Sequence, residues 1–467
     1  MAIRNGRLKK PPGSVFAGMN ASIGFDKRLY REDIRGSIAY AKALGKRGIL
    51  DQDEYRAVVE GLLAIEQEIK TGAFNFRVED EDIHMSIERR LFEKIGKAAY
   101  KLHTGRSRNE QIVLDERMYL IEECSSIDKK ILLLLKILVE RAKEHLSTIV
   151  PIYTHLRKAQ PTSLAHLFLA YYHALSRDRD RMRDFQKRLR VLPLGSAAAV
   201  GSSIGIDRNV LLQELPFDAL SQNSIDAVAT RDFIVEFEFI CVLIGVTLSR
   251  MAEDIILYSS EEFGFIDLPD DLTTTSSLLP QKKNPDSLEL IRGKSARVIG
   301  HLVWIVTLMK GTPYTYNRDF QEDKEGLFDT VDTAGQCIAV MTEVIKGLQV
   351  NLEHVEEALQ KSRGALFATD IAEYLVTKGV PFRDAHRTVG EIVRFALEGE
   401  RDLKDLTLAQ YKSFDQAFEK DVYKLFDYIR SVNRHDVIGG TALKRVAGEI
   451  KRAENKLEKE IRARNPR

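Results

Sequence analysis

Residues 273–285 form the most unusual stretch of the sequence, because five hydroxyl residues in succession lead into two lysines, an asparagine and a proline. Proline at position 285 is typical of the first turn of a helix. A helix beginning there points unpaired N–H groups and a positive dipole at the preceding loop, which favours a bound carboxylate or phosphate. On composition alone, a solvated loop with an asparagine cap explains the same residues.

A histidine with polar neighbours lies in a second break, at residues 153–161. His155 is accompanied there by Thr154 and Gln160 between two long helical runs. These neighbours are suited to orienting an imidazole for acid–base chemistry near neutral pH. The alternative is a histidine with a purely structural role.

Two further breaks carry groups that bind anions. Residues 101–109 offer Arg106, Arg108 and Asn109 ahead of a helix, and residues 314–325 combine two tyrosines with charged and amide side chains. Arginine binds carboxylates in a bidentate manner. Each break also has a simpler interpretation, as a basic surface turn or a solvated helix start. Together, the four breaks indicate a site for a polycarboxylate.

Long helices must position these breaks. Apolar residues recur at helical spacing over residues 110–149, 163–192, 224–263, 284–309 and 326–350, which predicts a bundle and an all-α fold. Asp51 and Glu54 have the spacing of a capping box at the start of another helix, which Gly72 ends. Residues 78–82 and 265–268 are the two segments with a weak strand signal, and no sheet is expected.

Composition excludes several classes of protein. The chain has 70 basic and 69 acidic residues among 467, a net charge of +1, which argues against nucleic-acid or membrane-surface binding. Apolar runs are too short to span a membrane, and residues 1–12 lack the apolar core of a signal peptide. Three widely separated cysteines fit a reduced, cytoplasmic protein. No nucleotide or metal motif is present, so no cofactor or metal is expected.

Four motifs in order resemble those of the fumarase/aspartase superfamily, and in particular its argininosuccinate lyase branch. They are Ser-Ser-Leu-Leu-Pro-Gln-Lys-Lys-Asn-Pro-Asp at 276–286, Tyr-Thr-His-Leu at 153–156, His-Thr-Gly-Arg-Ser-Arg-Asn at 103–109 and Gln-Glu-Asp-Lys-Glu-Gly at 321–326. The resemblance implies a helical homotetramer with active sites shared between subunits and with no metal or coenzyme. It divides the chain into an N-terminal helical domain (1–106), a central long-helix domain (107–358) and a C-terminal helical domain (359–467).

The resemblance also implies a reaction and roles for individual residues. The reaction is the reversible elimination of L-arginine from argininosuccinate to give fumarate. Ser276 would be the base, supported by Lys282 and Asn284, and His155 the acid, oriented by Glu289. The reverse assignment of base and acid remains open. The implied substrate contacts are Ser22, Arg108, Asn109, Thr154, Asn284, Tyr316, Gln321 and Lys324.

The sequence departs from the family pattern at several positions. Thr275 replaces a usual glycine, Leu279 a methionine and Glu110 an aspartate, and residues 3–8 replace an aromatic start. Two other functions stay open beside the first. One is a related carbon–nitrogen lyase acting on another N-substituted aspartate, such as adenylosuccinate. The other is a non-catalytic scaffold like the lens crystallins of this family.

Overall fold

The computed structural model describes residues 13–464, so the expectations for residues 1–12 lie outside the described residues. The chain is mainly helical. The helices are α1 Ser14–Asn20, α2 Ile23–Asp26, α3 Tyr30–Lys46, α4 Gln52–Lys70, α5 Ile83–Ile95, α6 Ala98–Lys101, α7 Arg108–Glu144, α8 Leu164–Leu189, α9 Arg208–Glu214, α10 Ser224–Ala229, α11 Asp232–Ser259, α12 Asp286–Lys310, α13 Asp323–Gly347, α14 Leu352–Gln360, α15 Ala368–Thr377, α16 Phe382–Glu398, α17 Leu408–Phe414, α18 Tyr428–Arg434 and α19 Leu443–Arg464.

The strands are short and form two-stranded sheets. They are β1 Ile149–Thr154, β2 Arg157–Ser163, β3 Val191–Leu192, β4 Ala219–Leu220, β5 Ile266–Asp267, β6 Thr274–Thr275, β7 Lys283–Asn284 and β8 Gln349–Val350. The pairs β1–β2, β5–β8 and β6–β7 are antiparallel, and β3–β4 is parallel. With so little sheet, the predicted all-α class is confirmed.

The long helices follow the predicted apolar stripes. On α7, every predicted stripe residue is buried: Leu114, Met118, Ile121, Ile127, Ile131, Leu134, Leu135, Leu138 and Ala142. The capping box of α4 is present, with the Glu54 N–H donating to Asp51 Oδ1 at 2.8 Å and the Asp51 N–H donating to Glu54 Oε2 at 3.0 Å. Among the described residues, no helix is long and apolar enough to cross a membrane.

Three predictions about elements were wrong. The helix expected over 224–263 is broken between α10 and α11, where Thr230 is extended and its hydroxyl accepts the N–H of Asp232. Residues 78–80 form a 3-10 turn rather than a strand. No sheet was expected, but the break at 153–161 lies in the β1–β2 hairpin, whose strand pattern is obscured because Pro151 faces Pro161 and β2 is mostly polar.

The chain divides into two compact units. Among the described residues, the first comprises 13–128, 179–243 and 296–335, and the second 129–178, 244–295 and 336–464. In the second unit, a separate core forms around α15, α16 and the segment 403–425, with Tyr411 and Phe418 fully buried. The three cysteines, Cys124, Cys241 and Cys337, are buried. The three-domain division remains a prediction.

Candidate active site

Four of the predicted substrate contacts line one small cavity in the first unit. Ser22, Tyr316, Gln321 and Lys324 come from segments about 300 residues apart, and they meet around a volume of about 10 Å³. That is room for about one water molecule. The other lining residues are Asp26, Leu29, Asp82, His84, Ile112 and Arg318.

Ser22 is held at this cavity by two hydrogen bonds. Its hydroxyl donates to Asp26 Oδ2 at 2.6 Å, and its backbone N–H donates to the Glu81 carbonyl at 2.8 Å. Asp26 also accepts the Ile83 N–H at 3.1 Å. Burial raises the pKa of Asp26 to about 6, so this carboxyl changes charge in the physiological range.

Tyr316 and Gln321 lie at the turn that leads into α13. Gln321 belongs to a 3-10 turn, Arg318–Glu322, and the Tyr316 ring lies 6.3 Å from that of Phe320. Thr315, directly before Tyr316, has a φ of +100°. A β-branched residue rarely adopts this conformation, and such backbone strain clusters at functional sites.

Lys324 is the most deeply buried cation that lines the cavity, which also has Arg318 in its wall. Its ammonium lies 2.6 Å from Asp323 Oδ1 and 2.9 Å from Glu116 Oε1. Burial opposes the charged form, but the two carboxylates outweigh it and raise the pKa of Lys324. The side chain therefore stays positive at any physiological pH.

Arg108 and Asn109 are engaged by other parts of the first unit. Arg108 Nη1 lies 2.9 Å from Asp82 Oδ2, and Asn109 Nδ2 donates to the Ala198 carbonyl at 3.1 Å. The next residue, Glu110, accepts the N–H groups of Gly195 at 2.6 Å and Ala197 at 2.9 Å. Glu110, which departs from the family's aspartate, thus fixes the loop that contains Gly195 and Ala197 against the start of α7.

His155 lies at the tip of the β1–β2 hairpin in the second unit. Thr154 pairs with Arg157, so His155 and Leu156 are the two loop residues, and both have a φ of +55°. This is the backbone of a turn that normally takes asparagine or glycine. His155 and Thr154 are exposed, and strain at an exposed histidine is a functional signal.

The Ser276 loop is closed at its base by a short ladder in the second unit. Thr274 pairs with Asn284 and Thr275 with Lys283, so residues 276–282 project beyond the pair. The Thr275 departure lies in this strand, where a β-branched residue fits well. The loop between the paired ends is largely exposed, so the alternative of a solvated loop stays open.

Within this loop, the Ser276 oxygen accepts two backbone N–H groups, from Leu278 at 3.2 Å and Leu279 at 3.0 Å. Lys282 is exposed and Asn284 half-buried just before α12. Lys283 is anchored instead, with its ammonium 2.8 Å from Asp270 Oδ1, and the hydrogen bond to Asp270 raises the pKa of Lys283.

Glu289 lies in the first turn of α12 and is half exposed. Its nearest cation is Arg292, at 3.8 Å. No hydrogen bond among the described residues joins Glu289 to His155, so their pairing remains a prediction.

Sequence reasoning missed three buried charges beside Lys324, namely Glu116, Arg231 and Asp323. Of the three, only Asp323 could have been found from the sequence, because it lies in the same motif as Lys324, residues 321–326. Arg231 lay inside a predicted helix, and Glu116 on a long helix rich in charge.

One cluster among the described residues has the types and spacing of metal ligands. Asp33, His84 and Asp115 lie together in the first unit, with His84 Nδ1 2.7 Å from Asp33 Oδ1. This distance is that of a direct hydrogen bond. Burial, reinforced by Asp33, raises the pKa of Asp115 well above its usual value, which disfavours its charged form. The absence of a metal or coenzyme remains an expectation.

Known families match almost the whole chain. A lyase family model matches residues 6–300, and a model of the argininosuccinate lyase C-terminal region matches residues 365–433. An argininosuccinate lyase of Citrifermentans bemidjiense is 47% identical over 96% of this chain and 97% of its own length. One of Moorella thermoacetica is 46% identical over 97% of each chain.

Solved structures agree in fold. An EDDS lyase in complex with formate is 28% identical, with a TM-score of 0.84 over 93% of this chain and 87% of its own. A fumarate lyase from Mesorhizobium sp. BNC1 is 19% identical, with a TM-score of 0.76 over 91% of this chain and 95% of its own, which shows the shared fold. On these similarities, the chain belongs to the argininosuccinate lyase family.

Proposed function

We propose that the chain catalyses the reversible elimination of argininosuccinate to L-arginine and fumarate, the chemistry of arginine biosynthesis. The observation that carries this function is near-full-length identity of 47% to argininosuccinate lyases. The convergence of Ser22, Tyr316, Gln321 and Lys324 on one cavity supports it independently.

In the proposed mechanism, Ser276 removes a proton from the carbon next to a succinyl carboxylate. The electron pair left on that carbon forms the double bond of fumarate as the carbon–nitrogen bond breaks. His155 gives a proton to the departing guanidinium nitrogen, and Glu289 orients the imidazole. Lys282 and Asn284 stabilise the negative charge that builds on the carboxylate.

The two amides that donate to Ser276 support its role as base. A hydrogen bond donated to an oxygen favours its negatively charged form, and Ser276 accepts two such bonds. The α12 N-terminus, which follows Asn284, acts in the same direction on the loop.

The remaining predicted residues take binding roles. Lys324 and Arg108 supply positive charge for the substrate carboxylates, and Ser22, Asn109, Thr154, Tyr316 and Gln321 supply hydrogen bonds. The positive charge of Lys324 is fixed by its carboxylate neighbours, and that of Arg108 by the chemistry of guanidinium.

We further propose a homotetramer with active sites shared between subunits. On α12, the positions Ala296, Gly300, Val303 and Thr307 are exposed and follow one another at steps of four and three residues. Such spacing is that of a helix-packing seam. A Cβ on Gly300 would meet nothing within 4 Å, so this face has room for a second copy's helix. Buried thiols fit a reducing, cytoplasmic location.

The decisive test mixes the purified protein with argininosuccinate and follows the absorbance of fumarate. We expect fumarate and arginine to form in equal amounts. Failure of an intact assembly to form fumarate would refute the function, and turnover would exclude a purely structural role.

A second candidate substrate class comes from the EDDS lyase structure with bound fumarate, which is 27% identical to this chain with a TM-score of 0.83. A panel of argininosuccinate, adenylosuccinate and EDDS distinguishes the candidates. We expect argininosuccinate to have the highest kcat/KM.

A further inference from the structure

Lys324 belongs to a closed ring of four charged side chains. The other three members are Asp323, Arg231 and Glu116. Asp323 directs one carboxylate oxygen to the Lys324 ammonium at 2.6 Å and the other to Arg231 Nε at 2.5 Å. Glu116 repeats this arrangement, with one oxygen 2.9 Å from Lys324 Nζ and the other 3.2 Å from Arg231 Nε. The ring therefore contains two basic and two acidic side chains.

All four side chains of the ring are buried, which is a costly place for charged groups. Arg231 and Glu116 are 0% exposed, Asp323 2% and Lys324 3%. Replacing such a buried ionic network with apolar residues is commonly neutral or even stabilising, because desolvating charges is costly. A ring assembled from α7, the α10–α11 break and the start of α13 thus calls for a role other than holding the fold.

The geometry of the Lys324 ammonium indicates that role. The ammonium donates to Asp323 Oδ1 at 2.6 Å, lies 2.9 Å from Glu116 Oε1 as an ion pair, and makes its third and longest contact, a 3.3 Å hydrogen bond, to the Phe320 carbonyl. Lys324 also lines the cavity shared with Ser22, Tyr316 and Gln321. The third N–H is therefore the one that can be exchanged for an oxygen of a ligand.

We propose that Glu116, Asp323 and Arg231 are positioning residues, which hold the Lys324 ammonium at the cavity wall with one N–H left for a substrate carboxylate. Arg231 is central because it bridges both carboxylates. Without it, two like charges converge on Lys324 alone and the ammonium is drawn away from its place. The inference rests on the proposed function.

The test compares the wild type with Arg231→Met and Arg231→Lys in the fumarate assay. A charge-assisted hydrogen bond is worth about 1.5–3 kcal/mol, or about 10- to 100-fold in affinity. We expect Arg231→Met to raise KM by about that factor with kcat changed less than about threefold, because a ground-state contact is lost. Arg231→Lys keeps the charge and should restore part of the affinity.

A matched control is Arg179→Met. Arg179 is 2% exposed and pairs with Asp128 at 2.6 Å, but it does not line this cavity. We expect this variant to keep the wild-type KM even where its unfolding temperature falls. A folded Arg231→Met variant with the KM of the wild type would overturn the proposal.

Two further measurements keep the proposal testable. If Arg231→Met does not fold, Glu116→Gln, which keeps the side-chain shape and removes one charge, must raise KM about tenfold. If the wild type forms no fumarate, the proposed function fails on its own. Crystal structures of the wild type and Glu116→Gln then decide, and an unmoved Lys324 Nζ would count against positioning.

Discussion

Ser276 is the residue on which the proposed chemistry depends most. We expect Ser276→Ala to lower kcat by at least about 10²- to 10⁴-fold, the usual contribution of a general base, while the fold and assembly persist. Steady-state kinetics by fumarate absorbance, with mass measurement in solution, would check both.

The adjacent serine provides the control. Ser277 is exposed, and we expect Ser277→Ala to keep activity within about threefold of the wild type. Near-normal turnover in Ser276→Ala would reject Ser276 as the base and favour His155 in that role.

A second residue-scale prediction concerns pH. The pKa of Glu238 rises to about 8, from an ordinary value of 4.5, because burial, reinforced by Asp323, disfavours its charged form. The folded chain therefore holds this proton more tightly than the unfolded chain. The resulting loss of stability grows as pH rises from about 4.5 to about 8, by about 1.4 kcal/mol per pH unit, and is constant above that range.

Glu238→Gln stays neutral and escapes this loss. We expect the urea midpoint of Glu238→Gln, relative to that of the wild type, to rise between pH 5 and pH 8. The difference should then stay constant up to pH 9. The exposed Glu322→Gln serves as a control with a constant difference. A difference in urea midpoint between Glu238→Gln and the wild type that does not change with pH would contradict the prediction.

The family resemblance supplies the predicted site residues, and their roles remain predictions. Ser22, Tyr316, Gln321 and Lys324 were expected to bind substrate, and the fold gathers all four. Arg231 escaped prediction because its partners, Glu116 and Asp323, lie 115 and 92 positions away, and no local pattern encodes such pairing. Its buried place also explains why the predicted helix breaks at this point.

At the scale of elements, the β1–β2 hairpin is where prediction and structure differ most. Val150 and Ile152 favour a strand, but Pro151 and the polar residues of β2 obscure any alternation. A two-stranded ladder tolerates the prolines because each strand has a free edge. The helix boundaries, by contrast, were predicted from apolar periodicity and capping residues. For α7, α8 and α12 the prediction agrees with the structure to within about five residues.

The hairpin tip gives a third prediction. Leu156 has a φ of +55°. This left-handed conformation costs an L-residue about 1–2 kcal/mol of conformational free energy and costs glycine little. We expect Leu156→Gly to stabilise the hairpin by up to about 1 kcal/mol while keeping turnover. Hydrogen exchange of β1 and β2 amides measures the change.

His155 provides the contrast at the same turn. His155→Gly relieves the same strain, but we expect turnover to fall sharply since the imidazole is lost. Faster amide exchange in the Leu156→Gly hairpin would show that backbone strain at Leu156 does not lower the stability of the hairpin.

At the scale of the whole molecule, the exposed seam of α12 predicts how assembly and activity are linked. Val303 is 60% exposed in the single chain. We expect Val303→Glu to reduce the assembly from a tetramer to smaller species, because a carboxylate would be buried among apolar groups. Turnover should fall with it, because we propose that the active sites are shared between subunits.

Leu397→Glu on α16 is the matched control, since Leu397 is 55% exposed and lies outside the α12 seam. Light scattering and the fumarate assay would be run on both variants. A monomeric Val303→Glu protein with full activity would show that one chain contains a complete site.

The buried cysteines make the chain convenient for spectroscopy. Burial raises the pKa of Cys124 and Cys241 far above the working range of maleimide reagents, and Cys337 is also buried. The native thiols should therefore stay unmodified in the folded protein. A cysteine introduced at exposed Ser277 would then accept a fluorophore selectively, and its emission would report in real time how the 276–282 loop responds to each substrate of the panel.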